Sequence, residues 1–188
     1  MTRSRCGWCG TDPLYVAYHD EEWGVPVKND DKLFEFLVLE TFQAGLSWIT
    51  ILKKRENFRE AFDHFDYHKI ANYTNNKIQS LLQDPGIIRN KLKVNATVTN
   101  AQAYIKLQQE MGSFSSYIWS FVKNKPLHNK WNTLSEIPSN TPLSDALSKD
   151  LKKRGFKFVG STVIYAFMQA TGMVNDHVTS CYRHSELN

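Results

Sequence analysis

Residues 33 to 52 read LFEFLVLETFQAGLSWITIL, a stretch that is apolar almost all the way round. A helix with no polar face has to be wrapped by other elements, so this segment belongs at the centre of the fold. Asn29-Asp30-Asp31 supplies a cap for a first helix through Leu33, Phe34, Leu37 and Val38. Ala44-Gly45-Leu46 interrupts it, and Ser47 can cap a second helix through Trp48, Ile51 and Leu52 that ends in Lys53, Lys54 and Arg55. Elsewhere apolar residues recur at spacings of three and four, and clean two-residue alternation is absent, which predicts an all-α fold.

Further helices follow from the same signals. Thr74 opens one that Pro85-Gly86 closes, and residues 87 to 112 read as one long helix with Ile88, Leu92, Ala96 and Thr99 along one side. Residues 113 to 122 form another. Thr141-Pro142 starts a helix that runs to Gly155, and Phe156 to Gly172 supplies one more before a short final turn, VNDHVTSC. Residues 123 to 141 are the one long irregular stretch, a linker or a binding loop. At 188 residues the chain is read as a single folding unit, 1–188, with approximate lobes at 30–122 and at 1–29 plus 123–188. Hydrophobic residues make up 41%, yet no apolar run reaches the roughly 20 residues that cross a bilayer, and the start, MTRSRCGWCG, has no export signal. A cytoplasmic monomer is the expectation.

Glu40 is the residue that does not belong. Leu37 and Leu33 lie three and seven positions before it and Ala44 four after, which puts the carboxylate on the apolar stripe. A buried carboxylate requires a partner, internal or brought by a ligand, or else it takes up a proton. Trp8, Tyr15, Tyr18, Trp23 and Trp48 lie in the same part of the chain. Such a density of rings is normally core, but beside a carboxylate it also makes a slot for a flat, electron-poor or cationic ring.

Three cysteines are too few for a disulfide framework, and metal binding is the better reading. Cys6 and His19 near the start and His177 and Cys181 near the end offer a four-ligand sulfur and imidazole set, with His177 and Cys181 four apart on a helical turn. Such a set selects zinc in a structural role and would clip the chain ends together, although Cys9 in CGWC competes for the place of Cys6. The net charge of +4 is concentrated in three clusters, at Lys53 to Arg55, at Arg89, Lys91 and Lys93, and in KDLKKRGFK at 149 to 157. Together with the Pro-Gly turn in LLQDPGIIRNK, where backbone N–H groups at a helix start can hold a phosphate, they point toward a polyanion.

Several blocks then coincide with one family. CGW at 6 to 8, DPLYVAYHDEEWGVP at 12 to 26, QAGLSWITILKKRENFREAF at 43 to 62, DPGIIRNK at 84 to 91, LSDALSKDLKKRGFKFVGST at 143 to 162 and VNDHVTSC at 174 to 181 occur in the family's order. The chain closely resembles the type I 3-methyladenine DNA glycosylases of the helix-hairpin-helix class over essentially its whole length. The resemblance implies a helix-hairpin-helix lobe and a structural zinc on Cys6, His19, His177 and Cys181. It implies hydrolysis of the N-glycosidic bond of 3-methyladenine in alkylated double-stranded DNA, with free 3-methyladenine and an abasic site as products and no strand cleavage. Glu40 would hold the base edge as the catalytic carboxylate, and Trp8, Tyr15, Tyr18, Trp23 and Trp48 would line the pocket. Gly45 and Leu46 would enter the DNA stack, while Gly86, Arg89 and Lys91 would meet the backbone. Asp145 and Asp176 remain as carboxylates to be excluded, and a non-catalytic reader of alkylated or bent DNA is the alternative.

Overall fold

A computed structural model describes residues 3–188. In chain order the helices are α1 (Pro13–Glu21), α2 (Asp30–Gln43), α3 (Trp48–Ala61), α4 (Tyr67–Ile70), α5 (Asn75–Gln83), α6 (Lys91–Met111), α7 (Phe114–Ser120), α8 (Pro142–Lys153), α9 (Ser161–Ala170) and α10 (Tyr182–Glu186). The only strands among the described residues are β1 (Leu127–His128) and β2 (Val174–Asn175), paired in parallel. None of these helices is long and apolar enough to cross a membrane.

Helix α2 is the hub, packed by α3, α6, α7 and α9, and it buries every residue from Phe36 to Phe42. Its start is fixed by polar atoms. The Asn29 side chain accepts from the Lys32 N–H at 2.9 Å. The Asp30 carboxylate accepts from the N–H groups of Phe114 and Ser115 at 2.9 and 2.8 Å and from the Gln108 amide at 2.6 Å. One acid thus joins the first turns of α2 and α7 to the end of α6. The other end of α2 is held by Lys93, whose buried Nζ donates to the carbonyls of Phe42 and Ala44 at 2.9 and 2.7 Å. Those carbonyls have no partner within the helix, and a cation there also suits the helix dipole.

The structure shortens several expected helices. Helix α6 begins at Lys91, because the Asn90 side chain accepts from the Lys93 N–H at 3.1 Å and makes a better start than the residues before it. Ile87 reaches the core from the non-helical turn, and Leu92, expected on the buried stripe, is 70% exposed. The buried face instead runs through Val94, Thr97, Ala101, Tyr104 and Leu107. Residues 156 to 160 are also non-helical, with Phe158 at φ +55°, so α9 starts only at Ser161. Ser47 does precede α3, but its hydroxyl pairs with that of Thr50 at 2.7 Å rather than with a backbone N–H. His177 and Cys181 lie in an irregular segment between β2 and α10, not on the helical turn that their spacing predicts. Part of the stretch from 123 to 141 is anchored by the β1–β2 pairing, and its later residues Leu134, Ile137 and Pro138 border one cavity with Ala166 and Gln169 of α9.

Asp30→Ala strips two N–H groups at the start of α7 of their acceptor and is expected to cost about 2–3 kcal/mol of stability, read as a lower urea midpoint with unchanged slope. Asp31→Ala, next door and exposed, should change stability by less than about 0.5 kcal/mol.

Candidate active site

The cavity at the heart of the molecule opens between two parts of the chain. One side is Trp8, Tyr15, Tyr18, Trp23, Trp48 and Gln43, with Glu40 among them, and the other is Leu134, Ile137, Pro138, Ala166 and Gln169. Its volume is about 370 Å³, within the range of small-molecule sites. The rings are set edge to face or tilted rather than stacked on one another, with Trp8 and Trp23 centroids 5.0 Å apart and Tyr18 and Trp48 5.3 Å apart. Ring faces are therefore left for a guest.

Glu40 is 3% exposed and makes no hydrogen bond or ion pair among the described residues. Burial alone pushes its carboxyl up to about 8. Without a partner in the cavity Glu40 is therefore largely protonated at neutral pH, the outcome that a buried, unpaired carboxylate is expected to take. A cation in the cavity would restore the charged form. The Trp48 Nε1 atom is likewise buried without a partner among the described residues. Asp176, by contrast, is saturated: Asn129 and Trp131 donate to one oxygen, and Tyr165 and Gln169 to the other. Asp145 lies outside the cavity lining.

Behind Trp8 and Trp23 the four sulfur and imidazole residues converge. The donor atoms of Cys6, His19, His177 and Cys181 lie within 4.8 Å of one another, and all four residues are buried. The Cys6 and Cys181 sulfurs are 3.4 and 3.5 Å from His177 Nδ1, and the Cys181 sulfur is 3.5 Å from His19 Nε2. A tetrahedral zinc ion, with bonds of about 2.3 Å to sulfur and about 2.0 Å to nitrogen, sets neighbouring donors about 3.5 Å apart. The far nitrogens are already oriented, His19 Nδ1 by Asp20 at 2.8 Å and His177 Nε2 by the Trp23 carbonyl at 3.0 Å. Hydrogen bonding from Cys6 and the two histidines lowers the Cys181 thiol, while the bond to Cys181 and burial raise that of Cys6. The group can hold a metal ion. Cys9 stands outside it, its thiol donating to the Cys6 carbonyl at 3.1 Å.

The basic clusters divide. Arg55 is bound bidentately by Glu22 at 2.8 and 2.7 Å, Lys53 pairs with Asp12 at 2.9 Å, and Lys54 donates to the Pro85 carbonyl at 3.2 Å. That cluster ties α3 to α1 and to the 84–90 turn. Arg154 is paired with Asp150 and Glu110. Arg89 and Lys91 have no acidic partner among the described residues, and Lys93 sits under the neighbouring loop. In that loop Gly45 has φ +83° with open space around it, and Leu46 is 38% exposed. Gly86 is needed for closeness instead, since a Cβ there would come within 2.9 Å of an Asp84 oxygen.

Sequence reasoning did not single out Gln43, Gln169 or the residues from 134 to 138 that complete the cavity. Only the irregularity of the 123–141 stretch pointed that way.

An all-helical protein with an aromatic slot floored by an unpartnered carboxylate, beside a basic loop face, has the makings of a nucleobase-binding site. The chain belongs to the methyladenine glycosylase family, whose model matches residues 8–184. It is 56% identical over 177 residues to DNA-3-methyladenine glycosylase 1 of Escherichia coli K12, across 94% of this chain and 95% of that one. A crystal structure of a 3-methyladenine DNA glycosylase I superposes with a TM-score of 0.93 at 53% identity, covering 95% of this chain and 98% of the other. The Staphylococcus aureus enzyme, solved to explain its recognition of 3-methyladenine, superposes at 0.92 with 40% identity over 95% of each chain.

The raised Glu40 group sets a pH signature. Because the folded protein binds this proton more tightly than the unfolded chain, stability is lost as pH climbs from about 4.5 to about 8 and stays lost above. Glu40→Gln is expected to stabilise the empty protein by up to about 5 kcal/mol above that range and hardly at all near pH 4, measured by thermal unfolding across pH.

Proposed function

We propose that this protein is a DNA glycosylase that hydrolyses the N-glycosidic bond of 3-methyladenine in alkylated duplex DNA, without strand cleavage. The observation that carries the reading is a buried carboxylate with no internal partner at the floor of a ring-walled cavity. Methylation at N3 gives adenine a positive charge. A cation between the rings gains from their faces and ionises Glu40, and each charge offsets the desolvation of the other. Glu40 then accepts a hydrogen bond from the exocyclic amine. Unmethylated adenine brings no charge, so Glu40 stays protonated and its acid O–H faces an amine donor.

A base inside the duplex has to be extruded, at a few kcal/mol, before it can reach such a cavity. Leu46, on the exposed loop that Lys93 pins, fills the vacated stack, and Gly45 lets the backbone approach. Arg89, Lys91 and the Gly86 turn hold phosphates beside it. Once the base is seated, the C1′–N9 bond breaks and its electron pair cancels the charge on the base, which leaves neutral. Water then bonds to C1′ and loses a proton, leaving an abasic site. Because the leaving group is already activated, Glu40 acts chiefly by selection.

The Cys6, His19, His177 and Cys181 group is proposed to hold structural zinc, which would neutralise the two thiolates and clip the terminal segments. His19 and His177 stand behind Trp8 and Trp23, with ring centroids at 5.2 and 4.6 Å, so the same clip supports the cavity wall.

Duplex DNA treated with a methylating agent is expected to release free 3-methyladenine while its strands stay intact until alkali is added; tight binding with no released base would make the protein a reader instead. The second-order rate constant, kcat/KM, should rise with pH until Glu40 is ionised near about 8 and then level off. Glu40→Gln should flatten that rise and lower kcat/KM about ten- to a hundredfold. Metal analysis should find zinc retained in Cys9→Ser and lost from Cys6→Ser, with a lower melting temperature for the latter.

A further inference from the structure

A second cavity adjoins the first. Its volume is about 390 Å³, and it shares Gln43, Pro138, Ala166 and Gln169 with the ring-walled one. It also touches Gly45, and none of its bordering residues is charged. A base in the ring-walled cavity, with its DNA on the Gly45 side, would set the deoxyribose where the two cavities meet.

Gln169 stands at that boundary with its amide orientation decided. Its nitrogen donates to Asp176 at 2.8 Å, and the flipped arrangement would set two oxygens against each other. Asp176 is itself fixed by the Trp131 indole at 2.8 Å, Asn129 at 2.7 Å and the Tyr165 hydroxyl at 2.5 Å. The Gln169 oxygen on the other side of the amide receives no hydrogen bond among the described residues. A four-donor network, fully buried at Asp176, thus fixes the amide of a residue that borders both cavities.

Resting on the glycosylase reading, we propose that Gln169 is a catalytic residue: its side-chain oxygen faces C1′, stabilises the sugar cation by its dipole and accepts a hydrogen bond from the attacking water. As the C1′–N9 bond breaks, its electron pair goes to the departing base. The oxygen of the held water bonds to C1′, and the water proton passes to solvent. A dipole suffices where a full carboxylate is absent because the methylated base leaves readily, and a dipole requires no proton of its own.

The test compares wild type with Gln169→Leu and Gln169→Asn, the second retaining an amide but withdrawing its oxygen by one methylene. Three quantities are read: single-turnover excision from methylated duplex DNA at saturating enzyme, affinity for free 3-methyladenine, and the share of sugar trapped as the methyl glycoside when methanol is added. The expected result is excision slower by about ten- to a hundredfold, unchanged affinity for the free base, and a larger methanol-trapped share. Should Gln169→Leu fail to fold, Gln169→Asn carries the same expectation. Unchanged excision and trapping overturn the proposal. So does a rate loss matched by an equal loss of free-base affinity, which would mean that Gln169 only shapes the cavity. Wild type that releases no base at all removes the glycosylase reading and this inference with it, whereas active wild type and equally active variants remove the inference alone.

Discussion

The structure turns on the desolvation of one carboxylate. A buried acid with no partner is a standing cost, and along the fully buried run of α2 from Phe36 to Phe42 only Glu40 borders the cavity. Aliphatic walls would have served burial equally well. Rings add faces that attract positive charge, so the walls and the acid favour the same guest. Specificity of this kind arises from what the empty site lacks, since the missing countercharge has to arrive with the ligand.

Holding such a site open takes rigid surroundings, and these are built from buried polar joints rather than from more apolar contact. Asp30 ties three helices at one end of α2, and Lys93 ties the loop at the other. Asp176 gathers four donors beneath α9, while the sulfur and imidazole cluster backs the two indoles. The Asp30, Lys93 and Asp176 joints are each met by several hydrogen-bond partners, in contrast with Glu40, which has none among the described residues.

Much of this was legible in the sequence because it rests on short-range pattern. The place of Glu40 on an apolar stripe, the interruption at Ala44-Gly45-Leu46 and the Thr141-Pro142 start follow from local periodicity and capping. Sulfur and imidazole chemistry joined residues as distant as Cys6 and His177 into one candidate set, and the resemblance implied the same four. What stayed hidden depends on tertiary partners. Arg55 looks like a free cation until Glu22 is seen across from it, and Leu92 looks like core until it is seen exposed in the first turn of α6. Gln169 is an ordinary helical residue in sequence, and only the carboxylate of Asp176 gives its amide a direction.

The cluster of Cys6, His19, His177 and Cys181 also sets a timetable. Cys6 and His177 are separated by 171 positions, so during translation the pieces behind Trp8 and Trp23 wait roughly ten to thirty seconds for their counterparts to emerge. The α2-centred body can assemble meanwhile, but the indole wall has no backing until then. The last segment to be made is thus the one that completes the wall behind Trp8 and Trp23.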